Sequence, residues 1–234
     1  VFPCALTGPI TLNKSAAFDV CQSRNDDSFF NNWLSIKHNV INHWVDLDSA
    51  TGDFGFALMS DHTTSYAFGP ADPLGLVLAY AGKGLWDRTY SLVAPSEIRY
   101  AFMPHGGTWD QARVWGEDCR WNEPMVTQMM TARPIGQALA RSLVRTSPGT
   151  YVTTMFLDHS ALGVRLFNAE GDGREQSVTF GFVPSQVSLA ELDGRHIASL
   201  DIAPGMLGEA TVKLSMPRFG VRTLRVTGIV KPSN

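Results

Sequence analysis

Apolar and polar residues along this chain alternate or gather in short runs, the two-residue period of β-strands rather than the longer period of helices. Glu97–Met103 begins as polar–apolar alternation, which predicts a half-buried strand. Gly55–Met59 and Leu74–Tyr80 are short apolar runs bounded by turn residues, the pattern of strands covered on both faces. Between Trp44–Leu47 and Gly55–Met59, the segment Ser49-Ala50-Thr51-Gly52-Asp53 supplies a hairpin connection. After Pro148-Gly149 the pattern becomes regular. Strands are expected at Tyr151–Leu157, Gly163–Phe167, Ser177–Phe182, Val187–Leu192, His196–Leu200, Ala210–Leu214 and Val221–Val226. Gly171-Asp172-Gly173, Asp193-Gly194 and Pro204-Gly205 separate them. Short strands with turns every ~8 to 12 residues predict a β-sandwich.

One helix is expected, after Gly106-Gly107. Thr108 and Gln111 have capping-box spacing, and Trp109, Ala112 and Trp115 form one apolar stripe. Pro124 ends it. Residues 125–146 carry Met125, Met129, Met130 and Leu139, but Pro134 and Gly136 interrupt any helix, so an extended linker is expected there. The break near 140–150 divides the chain into a region 1–145 and a region 150–234.

Composition narrows the function classes. Of 234 residues, 44% are apolar and 18% charged, a folded composition with enough chain to bury a core. The net charge of −3 and the lack of any Lys/Arg block argue against a nucleic-acid partner. No run of about 18 apolar residues suggests a membrane span. Val1-Phe2-Pro3-Cys4 carries no signal-peptide pattern and reads as the middle of a longer polypeptide, with any localisation signal expected upstream. The three cysteines, Cys4, Cys21 and Cys119, are too sparse for a disulfide framework and lack metal-site spacing, although a Cys4–Cys21 bridge is conceivable in an oxidising compartment.

Chemistry-bearing residues are scattered. Of the six histidines, the nearest pair, His38 and His43, suits neither a strand face nor a helix face, so no metal ligands are assigned. Glu117-Asp118 and Asp26-Asp27 are sequence neighbours, which does not place two carboxyls across a sugar. The polar cluster Ser60-Asp61-His62-Thr63-Thr64-Ser65-Tyr66 follows an apolar strand directly. Asp61, His62 and Thr63 can hydrogen-bond sugar hydroxyls from a loop held by rigid strands, or can serve only to solvate that loop. His105, at a strand end before Gly106-Gly107, has the same two readings: ligand-facing or structural. The six tryptophans can stack on sugars or fill cores. Asn13-Lys14-Ser15 is a sequon, a weak match.

Taken in order, several segments resemble the region after the catalytic domain of family 38 glycoside hydrolases, the α-mannosidases, in their bacterial branch. His43-Trp44-Val45-Asp46-Leu47 followed by Gly55–Asp61 is similar to that family's "W-V-D-L … G-x-x-L-L-x-D". Tyr100–Trp109 resembles "Y-A-L-x-P-H-x-G-x-W", with Phe102 in place of Leu, and Trp121-Asn122-Glu123-Pro124 resembles the "N-x-P" that closes the short helix. Val164–Gly171 is similar to "L-R-L-Y-N-x-x-G", and Phe219–Val226 to "F-x-I-x-T-L-R-L".

The resemblance implies an all-β chain: a galactose-mutarotase-like supersandwich region followed by an immunoglobulin-like β-sandwich. It implies that the zinc and the carboxylate nucleophile of retaining α-mannoside hydrolysis belong to an N-terminal catalytic domain, this chain's own partner, so that no catalytic residue and no cofactor are expected here. The resemblance then makes Asp61 and His62 candidates for the rim of that sugar pocket, bonding a sugar hydroxyl or orienting a catalytic-domain group, with Thr63 and His105 as further substrate-binding candidates. The rival readings are a free-standing carbohydrate-binding module and a structural domain that builds a homo-oligomer.

Overall fold

The computed structural model describes residues 1–2, 6, 8–23, 39–69, 72–79, 81–83, 88–127, 129, 142–170, 173 and 175–228. Cys4, Asp26-Asp27, Trp33, His38, Trp86, most of the expected linker and part of the Gly171-Asp172 turn lie outside them. The chain is all-β, built from antiparallel sheets with one short α-helix among the described residues. It divides into two compact units, Val1–Glu123 and Pro124–Asn234.

In the first unit the strands are β1 (Ile10–Ala16), β2 (Asp19–Ser23), β3 (Val40–Ile41), β4 (Trp44–Ser49), β5 (Phe54–Ser60), β6 (Thr64–Ala67), β7 (Gly75–Leu76), β8 (Gly82–Lys83), β9 (Thr89–Tyr90) and β10 (Tyr100–Gly106). The main sheet has the order β10-β5-β4-β1-β2. The expected turn between β4 and β5 forms, with Asp48 opposite Gly55 as its last pair. β1 escapes the hydrophobic pattern because Asn13, Lys14 and Ser15 are buried polar residues. Each is hydrogen-bonded, as burial requires: Asn13 to Asp48, Lys14 to the Val40 carbonyl, and Ser15 Oγ as acceptor for the His43 and Trp44 amides.

The two-residue period then sorts the faces of this sheet. Leu12, Val45, Leu47 and Leu58 form an apolar core with Ile41, Tyr66 and Leu74. Trp44, Asp46 and Asp48 alternate with Val45 and Leu47 and therefore occupy the opposite face.

Two sequence expectations shift here. Within Leu74–Ala79 a strand forms at Gly75–Leu76, against Tyr66–Ala67, with Leu74 bridged to Phe2, while Val77 and Leu78 are exposed. The helix starts later than its capping box. Gln111 Oε1 does accept the Thr108 amide at 3.2 Å, but Arg113 takes a left-handed conformation, φ 58°, which separates that first turn from α1 (Val114–Asn122).

The second unit contains β11 (Val144–Thr146), β12 (Thr150–Asp158), β13 (Ala161–Asn168), β14 (Glu175–Phe180), β15 (Gln186–Ala190), β16 (His196–Leu200), β17 (Ala203–Pro204), β18 (Ala210–Ser215) and β19 (Val221–Thr227). Every strand expected after Gly149 is present. They form two sheets, β11-β14-β18-β17 and β12-β13-β19-β15-β16. Inward residues of both sheets share one core, with Val164, Leu166, Val187 and Leu224 from one and Val178, Phe180, Val212 and Leu214 from the other. That is a β-sandwich. Within it β13 and β15 each pair with β19. Asn168 fastens the β18–β19 connection, its side chain donating to the Met216 and Pro217 carbonyls and its main chain exchanging bonds with Phe219 and Gly220.

Candidate functional site

Two polar constellations stand at opposite ends of the β5–β10 pair. Asp61 follows β5 at the Ser60 end, whereas His105 faces Gly55, five residues back along the strand. At ~3.3 Å per residue the two ends are about 17 Å apart. The structure therefore brings Asp61 and His62 together and places His105 elsewhere.

At the first end, β5 delivers Asp61 and His62 into a loop held by its neighbours. Asp61 Oδ1 lies 2.7 Å from His62 Nδ1, and Asp61 Oδ2 accepts the Arg99 amide at 3.0 Å. The His62 hydrogen bond, with help from Arg99, holds the Asp61 carboxyl below the usual carboxylate range. Arg99 in turn lies over the Trp121 ring of α1, 5.7 Å from its centroid, and Asn122 donates to the Ser60 carbonyl at 3.1 Å. The helix thus braces the loop from two directions. Asp61 and His62 line an open cleft of about 340 Å³ with Leu78, Ser96, Glu97 and Ile98. Thr63 is exposed beside them and is not part of that lining.

The same helix end carries a second tie. His43 Nδ1 lies 3.3 Å from Asp118 Oδ2, and Asn122 donates to Asp118 Oδ1 at 2.9 Å. Burial raises the Asp118 pKa, against the His43 and Asn122 bonds, while the Asp118 bond raises that of His43. Glu117, by contrast, is bound to Arg120 on the solvent side. The adjacent carboxylates of Glu117-Asp118 thus do different jobs, one buried against His43 and Asn122 and the other on Arg120.

At the other end, β4, β5 and β10 assemble a buried group from Asp46, Asp48 and His105. Asp46 and Asp48 are two apart on β4 and share a face. Gly55 of β5 is opposite both Asp48 and His105. A Cβ on Gly55 would lie 2.2 Å from His105 Cε1 and 2.6 Å from Asp48 Oδ1, so the missing side chain makes room for both. His105 Nε2 is 2.9 Å from Asp46 Oδ1. Asp48 Oδ2 accepts from Asn13 at 2.9 Å and, more weakly, from the Trp109 amide at 3.4 Å.

Burial, followed by the neighbouring Asp46 carboxylate, pushes Asp48 up to about 7. For His105, burial works against the charged ring but the bond to Asp46 and the charge of both aspartates outweigh it, and its pKa is raised. Asp48 also lines a second cleft, of about 360 Å³, with Thr11, Asn13, Thr108, Trp109 and Asp110.

This second constellation was not anticipated from the sequence. Its one legible signal is Asp46-Leu47-Asp48, two carboxylates at strand spacing inside an otherwise apolar strand. Nothing local says that His105, on a strand two places across the sheet, would join them. As for the tryptophans, Trp44 and Trp109 are buried with ring centroids 5.7 Å apart, Trp115 packs edge-on against Trp44, and Trp121 supports Arg99. Cys21 and Cys119 are partly buried thiols.

The chain matches no known protein-family model and no curated protein.

Proposed function

We propose that the chain is the C-terminal, non-catalytic β-region of an α-mannosidase-like glycoside hydrolase. In this reading its Asp61–His62 loop forms part of the wall of a sugar pocket, and an upstream catalytic domain supplies the zinc and the nucleophile. The ordered set of motif resemblances supports it. The observation that carries it in the structure is the Asp61–His62 pair, braced by α1 and Arg99 at the edge of an open cleft.

A carboxylate held ionised accepts hydrogen bonds only, and the adjacent imidazole can donate or accept. The pair suits the vicinal hydroxyls of a pyranose, while Leu78 and Ile98 offer apolar contact to its C–H face. Prior fixing of both side chains lowers the ordering cost of binding. The described tryptophans are engaged in packing or in bracing Arg99, which favours this role over a free-standing module that stacks sugars on exposed indoles.

Two measurements test the proposal. The chain alone, with and without added zinc, is expected to release no aryl alcohol from an aryl α-mannoside. Turnover would overturn the non-catalytic reading. In the natural full-length polypeptide, replacing Asp61→Asn together with His62→Gln is expected to raise KM for that mannoside by about tenfold or more, the worth of a charged hydrogen bond. An unchanged KM removes the loop from the pocket.

A further inference from the structure

Asp46, Asp48 and His105 each offer one ligand-type atom, and the three atoms lie within 4.8 Å of one another. All three residues are buried: Asp46 is 0% exposed, Asp48 3% and His105 8%. Buried polar atoms are nearly always hydrogen-bonded. As ionised carboxylates, Asp46 Oδ2 and Asp48 Oδ1 have no hydrogen-bond donor among the described residues. Asp48 Oδ1 is also the atom that, with His105 Nε2, crowds the space above Gly55, at 2.6 and 2.7 Å from the same point. An unpaired Asp48 oxygen and the His105 ring therefore crowd the same side of Gly55, and His105 Nε2 lies 2.9 Å from Asp46 Oδ1.

We infer that Asp46, Asp48 and His105 form a binding site for a divalent transition-metal cation of the zinc or manganese class, separate from the Asp61–His62 cleft and independent of the glycosidase reading. Charge supports this. With both aspartates ionised and the imidazole neutral the group carries −2, which a divalent cation cancels, taking the place of the protons the group otherwise holds.

The donor set narrows the metal. One imidazole with two carboxylates disfavours calcium and magnesium, which take oxygen throughout, and the absence of a thiolate disfavours copper(I). Tetrahedral zinc bonds of ~2.0–2.1 Å put ligand atoms about 3.4 Å apart, so atoms lying within 4.8 Å of one another close on the metal with an adjustment of at most about 1.4 Å. Supporting contacts are already built, because Asn13 and the Trp109 amide hold the other oxygen of Asp48. The cleft lined by Asp48, Thr11, Asn13, Thr108, Trp109 and Asp110 provides an entry path and room for water in the remaining positions.

The test is calorimetric titration of ZnCl₂, and separately MnCl₂, into the chelator-treated full chain, with thermal unfolding recorded alongside. One equivalent of at least one of these metals should bind and raise the melting temperature. Asp48→Asn, which keeps the shape of the side chain and the Asn13 bond, should weaken binding by at least about tenfold. His105→Gln should do the same, and a circular dichroism spectrum shows whether that variant folds. The double change Asp61→Asn with His62→Gln should leave binding as it was. Failure of both metals to bind overturns the inference, as does binding that survives Asp48→Asn or disappears with the Asp61 and His62 changes.

Discussion

At the scale of single residues, the group above Gly55 has a signature in pH. Asp48, raised to about 7, keeps its proton in the fold where the unfolded chain has lost it. Between about pH 4 and 7 the folded state then binds more protons than the unfolded one, and stability falls as pH rises. His105 adds in the same direction, since its raised value stabilises the fold below the ordinary histidine pKa and that contribution is lost as pH rises through the folded value. With chelator present, urea unfolding should show stability falling from pH 5 to 8, at no more than about 1.4 kcal/mol per pH unit for each proton. Asp48→Asn should flatten that slope and leave the fold about 1–2 kcal/mol more stable at pH 8. A variant as steep as the parent assigns the dependence to other groups. Gly55→Ala is a packing test, because its methyl would meet the His105 ring at 2.2 Å, and a loss of about 1–3 kcal/mol is expected in the same assay. The sequence shows Asp46-x-Asp48 and Gly55 plainly. It does not show that they meet His105, because strand pairing between β4, β5 and β10 is a nonlocal fact.

At the scale of elements, α1 acts through its C-terminal turn. Asn122 bridges Asp118 and the Ser60 carbonyl, and Trp121 lies beneath Arg99. Asn122→Ala removes both bonds and takes the donor from buried Asp118 Oδ1, leaving Oδ2 on His43, so a destabilisation of about 1–3 kcal/mol is expected by urea titration. If the helix braces the loop, the main-chain amides of Asp61 and His62 should also exchange faster with deuterium in that variant, and unchanged exchange would show that the loop stands without α1. The helix itself is legible in the sequence through Thr108, Gln111 and the stop at Pro124. Its start is displaced because Arg113 adopts a left-handed conformation, which sequence periodicity does not report. β1 is hidden for a different reason: its interior positions are polar, and their burial becomes reasonable only once Asp48, the Val40 carbonyl and the His43 and Trp44 amides are in place.

At the scale of the molecule, the two units have separate cores, and each should respond to its own damage. Phe180→Ala empties a fully buried aromatic position in the sandwich and should cost about 3–5 kcal/mol there. In differential scanning calorimetry that loss should move one transition of the full chain and leave the other, and a shift of both would show that the units unfold together. The sandwich was the most legible part of the chain, since alternating residues and Gly or Pro turns after Gly149 report each strand locally. The first unit was less so, because its sheet mixes buried polar groups into strands.

The position of β19 has a consequence for synthesis on the ribosome. β12 with β13 and β15 with β16 can each form as hairpins while the polypeptide is emerging, but the two hairpins meet only through β19. Their sheet therefore stays in two pieces until residues 221–227 have cleared the exit tunnel. A nascent product stalled before Val221 would carry two unpaired inner edges, the condition under which strands from neighbouring chains join.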